Sequence, residues 1–120
     1  MSEKKSILKD KSFLFALHIV KLYKFLCDEK REFVLSKQLL RSGTSVGANI
    51  REAQNAQSKA DFIHKLSISQ KECDETIYWL ELLHQSEYIN ENEFISVNKD
   101  ATELLKMLRS AILTTKKNNL

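Results

Sequence analysis

Few side chains in this 120-residue chain have the types to do chemistry, and their spacing decides how far that chemistry goes. His64 and His84 lie twenty positions apart, which at about 100° per helical residue turns them to nearly opposite faces. His18 has no carboxylate or cysteine at ligand spacing on its own segment. A di-iron bundle places a Glu-x-x-His pair on each of two helices. Glu81 with His84 makes that spacing once, and no second copy exists. Cys27 and Cys73 have no histidine close in sequence to take a thiol proton, and each falls on an apolar stripe, so both read as buried, reduced thiols. Glu72, Asp74 and Glu75 spread over several faces of one helix and read as solvated surface. No arginine is followed four to six residues later by the histidine that four-helix ribonuclease-like folds use. The expectation is a protein without catalysis, metal or cofactor.

Phosphate recognition is the chemistry that remains. The segment 41–49, RSGTSVGAN, holds the chain's two glycines, Gly43 and Gly47. A phosphate-cradling loop needs a strand before such glycines and a Lys-Ser or Lys-Thr pair after them. Neither is present. The segment reads instead as helix, with small residues at a tight crossing, since each interior glycine costs about 1 kcal/mol relative to alanine. On the same helix Lys37, Arg41 and Arg51 fall within about 80° of one another, opposite a core stripe of Leu35, Leu39, Val46, Ile50 and Ala53. Such a row suits tracking phosphates, pairing with the acidic helix of a neighbouring subunit, or plain solvation. Residues 1–60 carry twelve Lys/Arg against six Asp/Glu and residues 61–120 seven against ten, so charges of +6 and −3 sit within the overall +3. Either the halves attract each other in the folded chain, or the basic half faces an anionic partner.

These residues need elements to hold them, and the periodicity supplies four helices. Proline is absent and glycine nearly so, which argues against a β-rich fold with its many tight turns. After a polar, basic segment over residues 1–11, helix one is expected over about 12–28, with Ser12 as its N-cap. Helix two is expected over about 32–57. Helix three starts after Ser58, whose spacing to Asp61 resembles a capping box, and runs to about residue 86. Helix four follows Asn90 and ends near Lys116 and Lys117, cations suited to the negative end of a helix dipole. Short connections make sequential helices antiparallel, giving one all-α, up-down-up-down four-helix bundle over residues 12–117. That topology gathers Lys4, Lys5, Lys9, Lys11, Lys59, Lys116 and Lys117 into a basic pole, opposite Glu87, Glu91 and Glu93.

Helix four has one clean stripe, Phe94, Val97, Ala101, Leu104, Leu105, Leu108, Ala111 and Ile112, and a polar side with Lys99, Glu103, Lys106 and Arg109. Helices one and three have two apolar faces each. On helix one, Phe15, Ile19, Leu22 and Leu26 form a core stripe, while Phe13, Leu17 and Val20 lie roughly opposite. On helix three, Phe62, Leu66, Cys73, Ile77, Leu80 and His84 are matched by a far patch of Ile68, Tyr78, Trp79 and Leu82. A second apolar face on a helix of a small bundle calls for a further partner, and aromatic anchors suit a subunit interface.

The most apolar segment, residues 13–27, is interrupted by His18, Lys21 and Lys24 and falls short of the roughly 20 apolar residues of a membrane span. With no apolar signal-peptide region over residues 1–11, a cytoplasmic protein without membrane contact is expected.

The stretches 39–53 (LLRSGTSVGANIREA), 59–69 (KADFIHKLSIS) and 75–83 (ETIYWLELL) resemble the four-helix bundle proteins related to the 23S rRNA intervening-sequence protein. The likeness runs over about residues 13–117. It implies a bundle that assembles as a homopentamer, is linked to reading frames within rRNA intervening sequences, and has RNA as a partner. Asn49, Arg51 and Glu52 match the motif, and the family brings no catalytic residues. The alternative is a protein-protein interaction scaffold that binds no RNA.

Overall fold

A computed structural model describes residues 3–118, with side chains from Ile7 onward. Its four helices are α1 (Glu3–Asp28), α2 (Leu35–Ala53), α3 (Lys59–Gln85) and α4 (Glu91–Lys117). Neighbours run antiparallel. Ile19 of α1 meets Gly43 of α2, and Ser12 meets Gly47. The Ser69 hydroxyl of α3 donates to the Val46 carbonyl of α2 at 2.8 Å, and Lys65 reaches Glu52. Cys73 of α3 lies against Ala101 of α4, and Lys11 and His18 of α1 reach back to Glu103 and Glu93 of α4. Among the described residues no Cα atoms of α1 and α3 come within 8 Å of each other, so the two helices occupy one diagonal of a bundle measuring 51 × 21 × 19 Å.

The expected stripes are the core. Phe15, Ile19, Leu22 and Leu26 of α1 and Val97, Ala101, Leu104, Leu105, Leu108 and Ile112 of α4 are all buried. Between α2 and α3 the core is partly hydroxylic: Ser42, Ser69 and Thr76 are buried, and Thr76 donates to Ser42 at 3.0 Å. Small hydroxyl side chains bonded to the opposite helix satisfy their polar atoms and let the two backbones approach. The two glycines do the same for α1. A Cβ on Gly43 would stand 2.8 Å from Ile19 Cγ1, and one on Gly47 would stand 3.3 Å from the Ser12 carbonyl oxygen.

Two boundaries differ from expectation. Helix α1 begins at Glu3, so residues 3–11 are its first turns rather than a separate segment. Leu8 there is buried in the core. Ser12 is no cap: it is buried inside the helix, with its hydroxyl donating to the Lys9 carbonyl at 3.0 Å. Helix α2 starts at Leu35 because Glu32, expected inside it, caps it from outside. The Glu32 carboxylate accepts from the N–H groups of Val34, Leu35 and Ser36, the last at 2.7 Å, and the Ser36 hydroxyl returns a bond to the Glu32 carbonyl. Burial pushes the Glu32 carboxyl up, but these backbone bonds outweigh it and hold the group below the usual carboxylate range. The other two starts are as expected, with Ser58 accepting from the Asp61 N–H and Asn90 from the Glu93 N–H. The end of α3 places Glu87 at φ 67, with Tyr88 N–H on the Leu83 carbonyl and Glu87 N–H on the His84 carbonyl. This is a Schellman ending with glutamate where glycine is usual.

Candidate functional site

The cationic row of α2 is largely spoken for. The Arg41 guanidinium bonds Glu72 at 3.1 Å and also Glu75, both on α3 of the same chain. Glu75 in turn accepts the Trp79 indole N–H at 3.0 Å. That indole bond, together with Arg41, holds the Glu75 carboxyl below its usual range. Arg51 lies over the Phe13 ring, 5.6 Å from its centroid, a cation–π placement. Lys37 alone is exposed with no partner among the described residues. Of the sequence's options for this row, pairing with acidic α3 is realised at Arg41, within one chain.

The basic pole forms in part. Lys59 donates to the Asn118 carbonyl at 2.8 Å, joining the α2–α3 turn to the end of α4, where Lys116 and Lys117 are exposed in the last turn. Lys9 is half-buried. Lys11 points away along the α1–α4 seam to Glu103 at 2.5 Å. The side chains of Lys4 and Lys5 lie outside the described residues. At the far pole, Glu91 bonds His84 at 2.7 Å and Glu93 bonds His18 at 3.2 Å.

The second apolar faces are present but uneven. On α1, Phe13 and Leu17 are exposed and Val20 is half-buried; Leu14, absent from the expected set, is the most exposed of the group at 65%. Its position about 60° from Leu17 on the helical wheel is the signal that could have found it. On α3, Tyr78 is exposed and meets Trp79 edge-on at 5.0 Å. Ile68, Trp79 and Leu82 are half-buried, so this patch is shallower than the one on α1.

Residues 4–110 match the model of the 23S rRNA-intervening sequence protein family. The chain belongs to that family. It is also similar, at 60% identity and a TM-score of 0.90, to a crystal structure from Bacteroides thetaiotaomicron described as a protein with unknown function from the S23 ribosomal protein family. The match covers 91% of this chain and 97% of that one. A comparison with curated proteins gave no match. The residues that carry the 23S rRNA-intervening sequence protein likeness have local structural partners here. Asn49 donates to the Ser45 carbonyl at 2.9 Å, Glu52 pairs with Lys65 at 3.0 Å, and Arg51 covers Phe13.

Among the described residues no three His, Cys, Asp or Glu side chains gather as a metal site, and no helix is long and apolar enough to cross a membrane. The Cys73 thiol is buried, donates to the Ala101 carbonyl, and is pushed by burial to a pKa of about 12, so it stays a thiol. Cys27 is half-buried beside Ser36 rather than fully enclosed. His84 stacks flat on Phe94 with centroids 4.3 Å apart. A cavity of about 300 Å³ near the basic pole is lined by Leu8, Ile50, Phe62, Leu66, Met107 and Ala111, with uncharged Gln54, Asn118, Thr114 and Thr115 completing its walls. No titratable group lines it among the described residues.

Proposed function

We propose that this family member is a non-catalytic, homo-oligomeric bundle protein that binds RNA. The observation that carries the oligomer is the pair of outward apolar faces, on Phe13, Leu14 and Leu17 of α1 and around Tyr78 of α3, set on diagonally opposed helices. Two different faces on opposite sides of a subunit favour head-to-tail association closing into a ring, rather than one patch meeting itself in a dimer. The ring number is five, as the family resemblance implies. RNA as partner is supported by the family's name, which refers to 23S rRNA intervening sequences, and by the chain's surplus of cations. The absence of catalysis is supported by the Cys73 thiol, which burial keeps protonated. A cytoplasmic location fits two free thiols.

The test pairs native mass spectrometry with retention of a labelled single-stranded RNA across a salt series. A five-subunit species that retains RNA at low salt and releases it steeply as salt rises supports the reading. The rival, a scaffold that binds no RNA, is favoured by the neutralised state of Arg41. It would be established by an intact oligomer that retains no RNA at any salt concentration.

A further inference from the structure

Among the described residues, the charges of α4 are sorted by direction. All four of its carboxylates are engaged by cationic or imidazole side chains of the flanking helices: Glu91 by His84, Glu93 and Asp100 by His18, and Glu103 by Lys11. Its five cations, Lys99, Lys106, Arg109, Lys116 and Lys117, are all exposed, and none makes an ion pair among the described residues. The inward direction is fixed by Val97, Leu104 and Leu108. At about 100° per residue, Lys99, Lys106 and Lys117 point opposite to them within about 20° of one another, with Arg109 some 60° to one side. At a rise of about 1.5 Å per residue, Lys99 to Lys106 spans about 10 Å, Lys106 to Arg109 about 4.5 Å, and the whole stripe about 27 Å.

The contrast with α2 is one of availability. There Arg41 is bound by two carboxylates and Arg51 by a phenyl ring, which leaves Lys37. On α4 the neighbouring helices have removed the acids and left the cations, interleaved with the exposed Ile95 and Leu113. The nearest acid, Glu103, is held by Lys11, whose hydrogen bond keeps its carboxyl below the usual range, with a smaller part from Lys99. Helix α4 also lies between α1 and α3, touching both, so its outward face stays open when the α1 and α3 faces are covered by other copies.

We propose that the outward face of α4, through Lys99, Lys106, Arg109 and Lys117, is the surface that holds the RNA phosphodiester backbone. This rests on the RNA-binding reading above and replaces the α2 row as its site. Ion pairing to phosphates is independent of sequence and releases counterions, so each cation removed lowers the salt dependence. In a ring the stripe repeats once per subunit.

The test uses the full chain and a fluorescein-labelled single-stranded RNA of mixed sequence, titrated at several salt concentrations. Three proteins are compared: the parent, the triple variant Lys99→Gln, Lys106→Gln, Arg109→Gln, and the control double variant Lys37→Gln, Arg51→Gln. All the altered residues are exposed, and circular dichroism with a mass measurement checks that fold and assembly persist. For the triple variant, the slope of log affinity against log salt should fall by about 2, at roughly 0.7 for each phosphate no longer neutralised, and affinity at low salt should fall at least tenfold. The double variant should bind nearly as the parent does. A triple variant that binds like the parent overturns this assignment while RNA binding stands. A parent that binds no RNA at low salt overturns both.

Discussion

Helices α1 and α4 lie side by side over one core, yet their outward faces are weighted differently, towards apolar groups on α1 beside Lys21 and Lys24 and towards cations on α4 beside Ile95 and Leu113. Phe13, Leu14 and Leu17 stand exposed on α1, and Lys99, Lys106 and Arg109 stand exposed on α4. Their inward stripes are interchangeable in kind, aliphatic residues with a single Phe15 among them. The demand for a closed core therefore fixes only half of each helix. The other half is free to specify partners: an apolar face is completed by another apolar face, and a cationic face by an anion. The seam between the two helices, crossed by Lys11–Glu103 and His18–Glu93, also sets the charge of the α4 face.

The contrast breaks most severely if α1 loses its seat. Gly43→Leu drives a side chain into Ile19, which is fully buried and already within 3 Å of where a Cβ would stand. Denaturant unfolding should show a loss of about 1–3 kcal/mol, and the exposed α1 face should lose its fixed orientation. Melting at or above the parent temperature would mean the glycine is merely tolerated.

A smaller effect is expected from the cap that starts α2. Glu32→Gln weakens three backbone bonds and should cost about 0.5–2 kcal/mol at neutral pH. The sign with pH follows from the depressed carboxyl. Its contribution is complete above the unfolded-state pKa of about 4.3 and is lost as pH falls through the lower folded value. The gap between parent and Glu32→Gln should therefore close as acid is added. A gap independent of pH would show that shape rather than charge makes the cap.

The smallest effect sharpens the α4 side. Glu103→Gln removes an acid that feels the Lys99 charge, so RNA affinity at low salt should rise by a small factor. Weaker binding would mean that the Lys11–Glu103 pair itself positions the surface.

Much of the fold is legible because apolar stripes at helical spacing need no tertiary knowledge. The α1 stripe of Phe15, Ile19, Leu22 and Leu26 and the caps Ser58 and Asn90 read directly. Ser12 misleads because serine favours caps, whereas here it is buried beside Gly47. The start of α2 is hidden because its cap is a glutamate reaching forward rather than a short Ser, Thr, Asp or Asn side chain. The hydroxyls of Ser42, Ser69 and Thr76 do not read as core, because only a facing helix makes them satisfied. The candidate site is less legible. Sequence gives the face a cation occupies but not which acids of the next helix meet it. It therefore overvalues Arg41 and presents the α4 cations as an ordinary polar side.

Static light scattering of the parent chain and of the double variant Phe13→Glu, Leu17→Glu tests the contrast most directly. Both residues are exposed in the single chain, so the variant should fold, with unchanged helicity. The parent should scatter as a ring near five times the 13.9 kDa chain mass, and the variant as the single chain. A parent at 13.9 kDa, or a variant with the parent's mass, would contradict the assignment of the α1 face to a second copy.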